Sequence, residues 1–323
     1  MNKVNKIKCL VTGGAGFIGS HLVDRLLELG YKVIVVDDLS SGKKENLKHH
    51  KNNPNLKIFI KDICDKDIKK LFKGVSVVFH LAAIPRVQFS IKYPQETDRV
   101  NIQGTLNILE AARKSKVKRF VYSSSSSVYG DQKKLPFTET MNPNPLSFYA
   151  AQKLTGEYYC KLYYLLFGIE TVCLRYFNVY GPRQDPLGDY TCLIPKSINR
   201  ILNKQSPEIY GSGRQTRDFT YVKDVVEATI LAGVTNNKKA FGQIFNVGSG
   251  NNFSVNYVVK TIINFMDKKI KPCYKPPVVE PKNTLADIRK IKNILNWQPK
   301  FSFEKGIKET IDWFISHHSI YVL

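Results

Sequence analysis

The stretch that most limits what this chain can become is Leu10-Val11-Thr12-Gly13-Gly14-Ala15-Gly16-Phe17-Ile18-Gly19. An apolar run ends at Thr12, glycines fall at 13, 14, 16 and 19, and a helical pattern begins at once. The spacing suits a dinucleotide. Gly13 allows a tight turn, Gly16 lets the main chain approach a pyrophosphate, and Gly19 lets helix and strand pack closely. The helix start then points unpaired N–H groups at the anion. Glycines alone are weak evidence, because turns use them anyway. Here the second apolar run ends in Asp37, about 20 residues further on, where a carboxylate can accept from ribose hydroxyls and repel a 2′-phosphate. The pattern points to NAD rather than NADP.

The first half of the chain repeats the same alternation. Ile7–Thr12, Tyr31–Val36, Leu56–Ile60, Val75–Leu81 and Arg119–Ser123 read as buried parallel strands, continuously apolar rather than alternating. Between them Leu22, Leu26 and Leu29 share one helical face with Gly30 at its end, and Val100, Leu106 and Leu109 form another stripe. This predicts an α/β fold, a Rossmann-type doubly wound parallel sheet with right-handed crossovers. After residue 177 the pattern loosens. Pro182–Gly188 reads as a loop, Ile194–Leu202 as a helix, Arg217–Tyr221 as a strand and Val222–Val234 as a helix. Ile244–Val247 reads as a strand, and Asp287–Leu295 and Phe303–Phe314 as helices. These strands are too few for a second sheet. The expected division is an NAD-binding domain over 1–177, joined by a strand and helix returning from 217–250. Residues 178–216 and 251–323 then form a smaller mixed α/β substrate lobe.

Composition narrows the partners. With 323 residues, 43% of them hydrophobic and 24% charged, the chain has ample core and is not a disordered segment. Lys+Arg 49 against Asp+Glu 27 leaves +22, a balance that would suit nucleic acid or an anionic membrane. The basic residues are scattered, however, in pairs such as Lys43-Lys44, Lys69-Lys70, Lys133-Lys134 and Lys268-Lys269. They read as solvated surface, with no nucleic-acid partner. Cys9, Cys64, Cys160, Cys173, Cys192 and Cys273 form no C-x-x-C and match no zinc spacing, so no metal site is expected. Free thiols suggest a reducing compartment. Basic Met1–Lys8 leads into an apolar run that Gly13 and Gly14 cut short, which does not make a signal peptide. No segment approaches the ~18 apolar residues of a membrane span. A soluble, cytoplasmic protein is expected.

Two Y-x-x-x-K matches occur, Tyr129/Lys133 and Tyr149/Lys153, and context separates them. Gly130 and a polar stretch leading to Pro136 put Tyr129 in a loop. Tyr149 opens a helical segment, Tyr149–Phe167, behind Pro143, Pro145 and a capping candidate at Ser147. On a helix, positions i and i+4 share a face. Lys153 would then hold its cationic head near Tyr149 and lower a phenol pKa that starts near 10. A phenolate so formed is a base for an alcohol proton. Ser125 lies at the end of the fifth strand, where parallel sheets present ligands.

At these residues the chain resembles a known family. T-G-G-A-G-F-I-G, His80-Leu81-Ala82-Ala83, Ser123–Gly130, Tyr149-x-x-x-Lys153 and Arg175-Tyr176-Phe177-Asn178-Val179-Tyr180-Gly181-Pro182 together look like the extended short-chain dehydrogenases acting on nucleotide sugars. The resemblance runs from about residue 7 to 315, and it is strongest to the UDP-hexose 4-epimerases, especially those accepting UDP-N-acetylglucosamine. It implies Tyr149 as base and acid, Lys153 as its tuner and ribose ligand, and Ser125 as the partner of the reacting hydroxyl. It assigns NAD contacts to Gly13, Gly16, Phe17, Ile18 and Gly19, to Asp37, Asp38, Leu39, Ser40, Ser41 and Gly42, and to Asp62 and Ile63. Leu81, Ala82, Ala83, Ile84, Asn101, Tyr149, Lys153 and Phe177 complete that set. It assigns Asn178, Leu193 to Pro195, Arg217 and Thr284 to the nucleotide sugar, with Arg217 on the diphosphate. The implied reaction takes hydride from C4 of the sugar to a permanently bound NAD⁺ while Tyr149 takes the hydroxyl proton. The 4-keto sugar then turns over in the pocket and the hydride returns to its other face. A homodimer built on a helix pair is implied too, with Pro94–Lys116 and Tyr149–Phe167 as candidates.

Among the relatives so implied, dehydratases carry an Asp-Glu pair directly after the serine or threonine, and UDP-glucuronate decarboxylases a glutamate at the place of Ser127. This chain has Ser126-Ser127, which cannot serve as acid and base at neutral pH. UDP-glucuronate 4-epimerases share a serine-rich stretch and stay open as an alternative, as does an ordinary NAD-dependent nucleotide-sugar dehydrogenase. In the family a tyrosine at the position of Thr284 restricts the pocket to glucose and galactose, while a smaller residue admits an N-acetyl group. Threonine implies that UDP-GlcNAc and UDP-GalNAc are accepted alongside UDP-Glc and UDP-Gal. Pro276–Asn283 lacks the arginine and Gly-Asp that usually precede this position, leaving Lys282 as the substitute diphosphate contact.

Overall fold

The computed structural model describes residues 7–187, 192–278 and 281–317. Most of the basic Met1–Lys8 stretch, Gly188 of the Pro182–Gly188 loop, and Val279 and Glu280 lie outside them. Seven parallel strands form one sheet: β1 (Lys8–Thr12), β2 (Lys32–Asp37), β3 (Leu56–Ile60), β4 (Val77–His80), β5 (Arg119–Ser125), β6 (Glu170–Tyr176) and β7 (Gln243–Val247). Their spatial order is β7-β6-β5-β4-β1-β2-β3. The order reverses between β1 and β4, and a doubly wound sheet opens its ligand crevice at that switch point, beyond the carboxyl ends of the strands. The Rossmann-type expectation is met. The crossover segments contain α1 (Phe17–Glu28), α2 (Thr105–Lys114) and α3 (Phe148–Phe167); later come α4 (Leu193–Leu202) and α5 (Val222–Val234).

Neighbouring residues of a strand point to opposite faces, so the buried central strands feed two cores. Cys9 and Val11 of β1 join Leu22, Val23 and Leu26 of α1 and Val225, Val226 and Ala228 of α5. Leu10, between them, joins Ile108, Leu109 and Ala112 of α2 and Cys160 and Tyr163 of α3. Three sequence expectations need correction. Leu29 lies beyond the last turn of α1 and is exposed, as is Leu106. β3 is an edge strand with Ile58 and Ile60 half exposed, not a buried one. Arg217–Tyr221 is two short strands, Thr216–Arg217 and Thr220–Tyr221, because the chain breaks pairing at Asp218. Strand β6 was not anticipated as a strand.

Beyond β6 the chain makes small pairings rather than a sheet. Val179–Tyr180 pairs with Thr220–Tyr221, Thr216–Arg217 with Phe253–Ser254, and Glu208–Tyr210 with Cys273–Lys275. β7 then pairs with β6 and closes one edge of the main sheet. No described helix is long and apolar enough to cross a membrane.

Candidate active site

The glycine turn folds as its spacing asks. Gly13 sits at φ +70° and donates its N–H to Val36 O at 2.8 Å, locking the end of β1 to β2. A Cβ on Gly13 would stand 2.8 Å from Ala82 N, and one on Gly19 would stand 2.0 Å from Gly13 O. A Cβ on Gly16 would meet only Gly13 O, at 3.2 Å, so its other side is left for an approaching ligand. Asp37 is buried and braces the cradle: Oδ2 accepts from Ala15 N–H at 2.8 Å and Oδ1 from Leu39 N–H at 2.9 Å. Burial raises its pKa, and the Leu39 and Ala15 N–H groups work against that rise. A carboxylate oxygen has further lone-pair capacity, so both can still accept from a ribose. Gly42 leaves no room for a side chain beside it, since a Cβ there would lie 2.6 Å from Asp37 Oδ1. Asp38, Ser40 and Ser41 form an exposed rim, with Asp38 accepting from Ser40. These features fit a dinucleotide: a turn open at Gly16, a helix N-terminus behind it and an acid at the end of β2.

The opposite wall, Leu81–Ile84, is held from below by a buried chain of hydrogen bonds. Ala82 N–H donates to Thr12 Oγ1 (3.2 Å), which contacts His80 Nδ1 (2.7 Å), and His80 Nε2 meets Thr105 Oγ1 (2.9 Å). Thr105 donates onward to Asn101 O at 2.7 Å, so it accepts from His80, whose proton therefore sits on Nε2. Burial pushes the His80 pKa down to about 3 and keeps it neutral. Asn101 brackets Ile84, accepting from its N–H at 2.8 Å and donating to its carbonyl at 3.2 Å and to Gln152 at 2.8 Å. Its amide is thus spent on shaping the wall. Asp62 is likewise engaged, by Cys64 N–H and Arg99, and Ile63 is buried. Phe177 is fully buried beside Tyr129 and Phe137 and presents no open surface to a cofactor.

Tyr149 and Lys153 lie in the first turns of α3, which Ser147 caps by accepting from Ala150 N–H and which Gly168 ends in the left-handed region. Both side chains are buried, and Ser125 at the end of β5 lies near enough to Tyr149 to pull its phenol pKa down. Burial outweighs this and pushes that pKa up to about 12. The expected depression by Lys153 is not what the structure contains. Lys153 Nζ donates to Ser123 O at 2.7 Å and stands 5.9 Å from the Tyr149 ring centre, and burial brings its own pKa down to about 8. One turn further along the same face, Glu157 completes the support. It accepts from Ser124 Oγ at 2.5 Å and from Arg175 Nε and Nη2 at 2.8 and 2.7 Å, all buried. Strand residues 123 and 124, immediately before Ser125, are therefore both pinned to α3. Sequence reasoning missed Glu157, although its place eight residues after Tyr149 put it on the same stripe.

The sugar-side candidates also converge. Asn178 Nδ2 donates to Asp218 O at 3.0 Å and lies 3.4 Å from Thr284 Oγ1, which in turn accepts from Asp218 N–H at 3.3 Å. Arg217 donates from one arm to Thr216 O and Lys282 O, which puts exposed Lys282 beside it. The organiser is Asp218, unread in the sequence. Its fully buried carboxylate accepts from Ser249 N–H and Oγ (both 2.7 Å), Gly250 N–H and Ala286 N–H (both 3.1 Å). Burial pushes its pKa up to about 6 against those donors. Leu193 and Pro195 open α4. Pro195 is buried, and Leu193 packs in part beside Ile209 and Val255.

Residues 9–248 match the NAD dependent epimerase/dehydratase family. A UDP-glucose 4-epimerase of Mycolicibacterium smegmatis is 38% identical over 312 residues, 95% of this chain and 98% of its own length. Among solved structures, a UDP-N-acetylglucosamine 4-epimerase of Methanobrevibacter ruminantium in complex with UDP-N-acetylmuramic acid superposes with a TM-score of 0.92. It is 40% identical, covering 97% of this chain and 99% of that one. A UDP-glucuronic acid 4-epimerase of Bacillus cereus with UDP-glucuronic acid and NAD gives 0.91 at 35% identity, covering 96% and 100%. Relatives named as decarboxylases of UDP-uronic acids match as well. The chain belongs to the NAD dependent epimerase/dehydratase family. Within it the chain is an isomerase of the UDP-sugar 4-epimerase type, with NAD as its cofactor.

Proposed function

We propose that the protein interconverts UDP-GlcNAc and UDP-GalNAc, and also UDP-Glc and UDP-Gal, by inversion at C4. The observation that carries this reading is that buried Tyr149 lies next to Ser125 at the carboxyl ends of the strands, beside the glycine crevice. The two residues after Ser125 are serines rather than acids. NAD, when bound, supplies the redox chemistry, taking the C4 hydrogen as hydride and giving it back, and its oxidised ring brings a positive charge into the crevice. Tyr149 Oη takes the proton of the C4 hydroxyl and later returns it, while Ser125 Oγ orients that hydroxyl. The Lys153 ammonium, which donates to Ser123 O, would also hold a ribose hydroxyl of the cofactor. Gly13, Gly16 and Gly19 with Asp37 would hold the dinucleotide. Arg217, with Lys282 beside it, holds the UDP diphosphate while the sugar turns. Asn178 and Thr284 lie within hydrogen-bond reach of each other, which supports their common assignment to the sugar. Threonine at 284 leaves the space that an N-acetyl group requires.

We further assign 1–177 with 217–250 to the dinucleotide and 178–216 with 251–323 to the sugar. We also propose a cytoplasmic setting, which the six free cysteines support. A homodimer is supported by α3: Tyr158, Leu162, Leu165 and Leu166 (68% exposed) form one outward apolar stripe at helical spacing. UDP-glucuronate is the second reading, since a relative with that substrate shares the fold. Purified protein, given UDP-Glc, UDP-GlcNAc and UDP-GlcA separately with no added cofactor, should yield the C4 epimers of the first two. Conversion of UDP-GlcA alone would replace this reading with the second. A Thr284→Tyr variant should lose the acetylated substrate and keep UDP-Glc.

A further inference from the structure

The segment that follows Val179–Tyr180 crosses to α1. Pro182 O accepts from His21 Nε2 at 2.9 Å, and Arg183 stands 2.8 Å from Asp24. Because a carbonyl only accepts, His21 carries its proton on Nε2. Two residues beyond Arg183, Asp185 pairs with Lys43 at 3.6 Å and with Arg86 at 3.4 Å. These cations belong to different walls. Lys43 follows β2 and is fixed by its main-chain N–H to Ala15 O at 3.0 Å, on the glycine turn itself. Arg86 follows β4, just past the Leu81–Ile84 wall. In the sheet β1 lies between β2 and β4, and the glycine turn is the end of β1. A carboxylate that joins Lys43 to Arg86 therefore spans the mouth of the turn, while His21 and Asp24 anchor the same segment on the helix that starts there.

We propose that Asp185 retains the cofactor, its carboxylate tying the two walls together above the dinucleotide's pyrophosphate. Two cations offset its charge, so the clasp does not repel the anion beneath it. NAD leaves only when both pairs part. Exposed ion pairs are individually weak and are screened by salt, so the clasp adjusts the rate of cofactor loss rather than creating the site. This rests on the NAD reading and not on which sugar is turned over.

The test is the loss of bound NAD from purified holoenzyme into an excess of an NAD-hydrolysing enzyme, read as NAD remaining on the protein after acid release. Asp185→Ala should release NAD roughly fivefold faster than the unaltered protein, and Asp185→Glu should restore slow release. Salt at 1 M should speed the unaltered protein toward the alanine variant and change the variant little. Equal thermal unfolding of both in saturating NAD shows that the fold is intact. Release from Asp185→Ala within twofold of the unaltered protein, or equal acceleration of both by salt, would overturn the clasp. An unaltered protein that binds no NAD would overturn the cofactor reading and the clasp with it.

Discussion

On the cofactor side of the crevice, each wall is set by strand ends and by close neighbours in sequence. Gly13 bonds Val36 across one strand pair, Asp37 bonds Leu39 two residues on, and Ala82 stands on Thr12 of the adjacent strand. On the sugar side, Asn178, Arg217 and Thr284 come from three distant segments, and what gathers them is Asp218, whose main chain bonds Asn178 and Thr284 and whose buried carboxylate bonds Ala286. The first arrangement is written into backbone geometry and tolerates few changes of glycine. The second depends on a polar hub, so its failure should disturb the sugar while sparing the dinucleotide.

The largest expected effect lies where the two sides meet. Tyr149→Phe should lower kcat about 10³-fold while bound NAD and UDP-sugar affinity stay unchanged, as product separation and NAD content would report. Asp218→Ala strands the N–H groups of Ser249, Gly250 and Ala286, at a cost of about 3 kcal/mol or more in urea unfolding. Its KM for UDP-sugar should rise at least roughly tenfold at constant NAD content; lost NAD with KM untouched would break the comparison. Gly19→Ala should do the reverse, weakening NAD retention and costing about 2 kcal/mol, because its Cβ would press on Gly13 O. Gly30→Ala, at φ +80° but in open space, should cost only about 1 kcal/mol. The mildest test is pH. Burial brings the Lys153 pKa down to about 8, so its ammonium charge is lost above that pH. Raising the pH through 8 therefore removes the charge proposed to hold the cofactor ribose, and the NAD content of the purified protein should fall above that point.

How far the sequence could be read follows the same divide. The glycine turn, the end of β2 at Asp37 and the start of α3 were legible because local patterns dictate them, and Val222–Val234 coincides with its helix. β6 was passed over because its apolar run ends in Arg175, a charge that looks exposed until Glu157 is seen to match it. Asp218 reads as a polar break in a strand, and nothing nearby in sequence shows the donors from 249, 250 and 286 that converge on it. The influence of Lys153 on Tyr149 is hidden from the sequence for a related reason. Spacing places Lys153 on its face, but burial and the competing Ser123 carbonyl decide the electrostatics.

The central claim is that one sugar carbon is oxidised and then reduced inside a crevice that keeps its dinucleotide. UDP-GlcNAc carrying deuterium at C4, incubated with purified protein and no added cofactor, should become UDP-GalNAc with the deuterium still at C4. An unchanged substrate, or a product whose label has been lost to solvent, would contradict it.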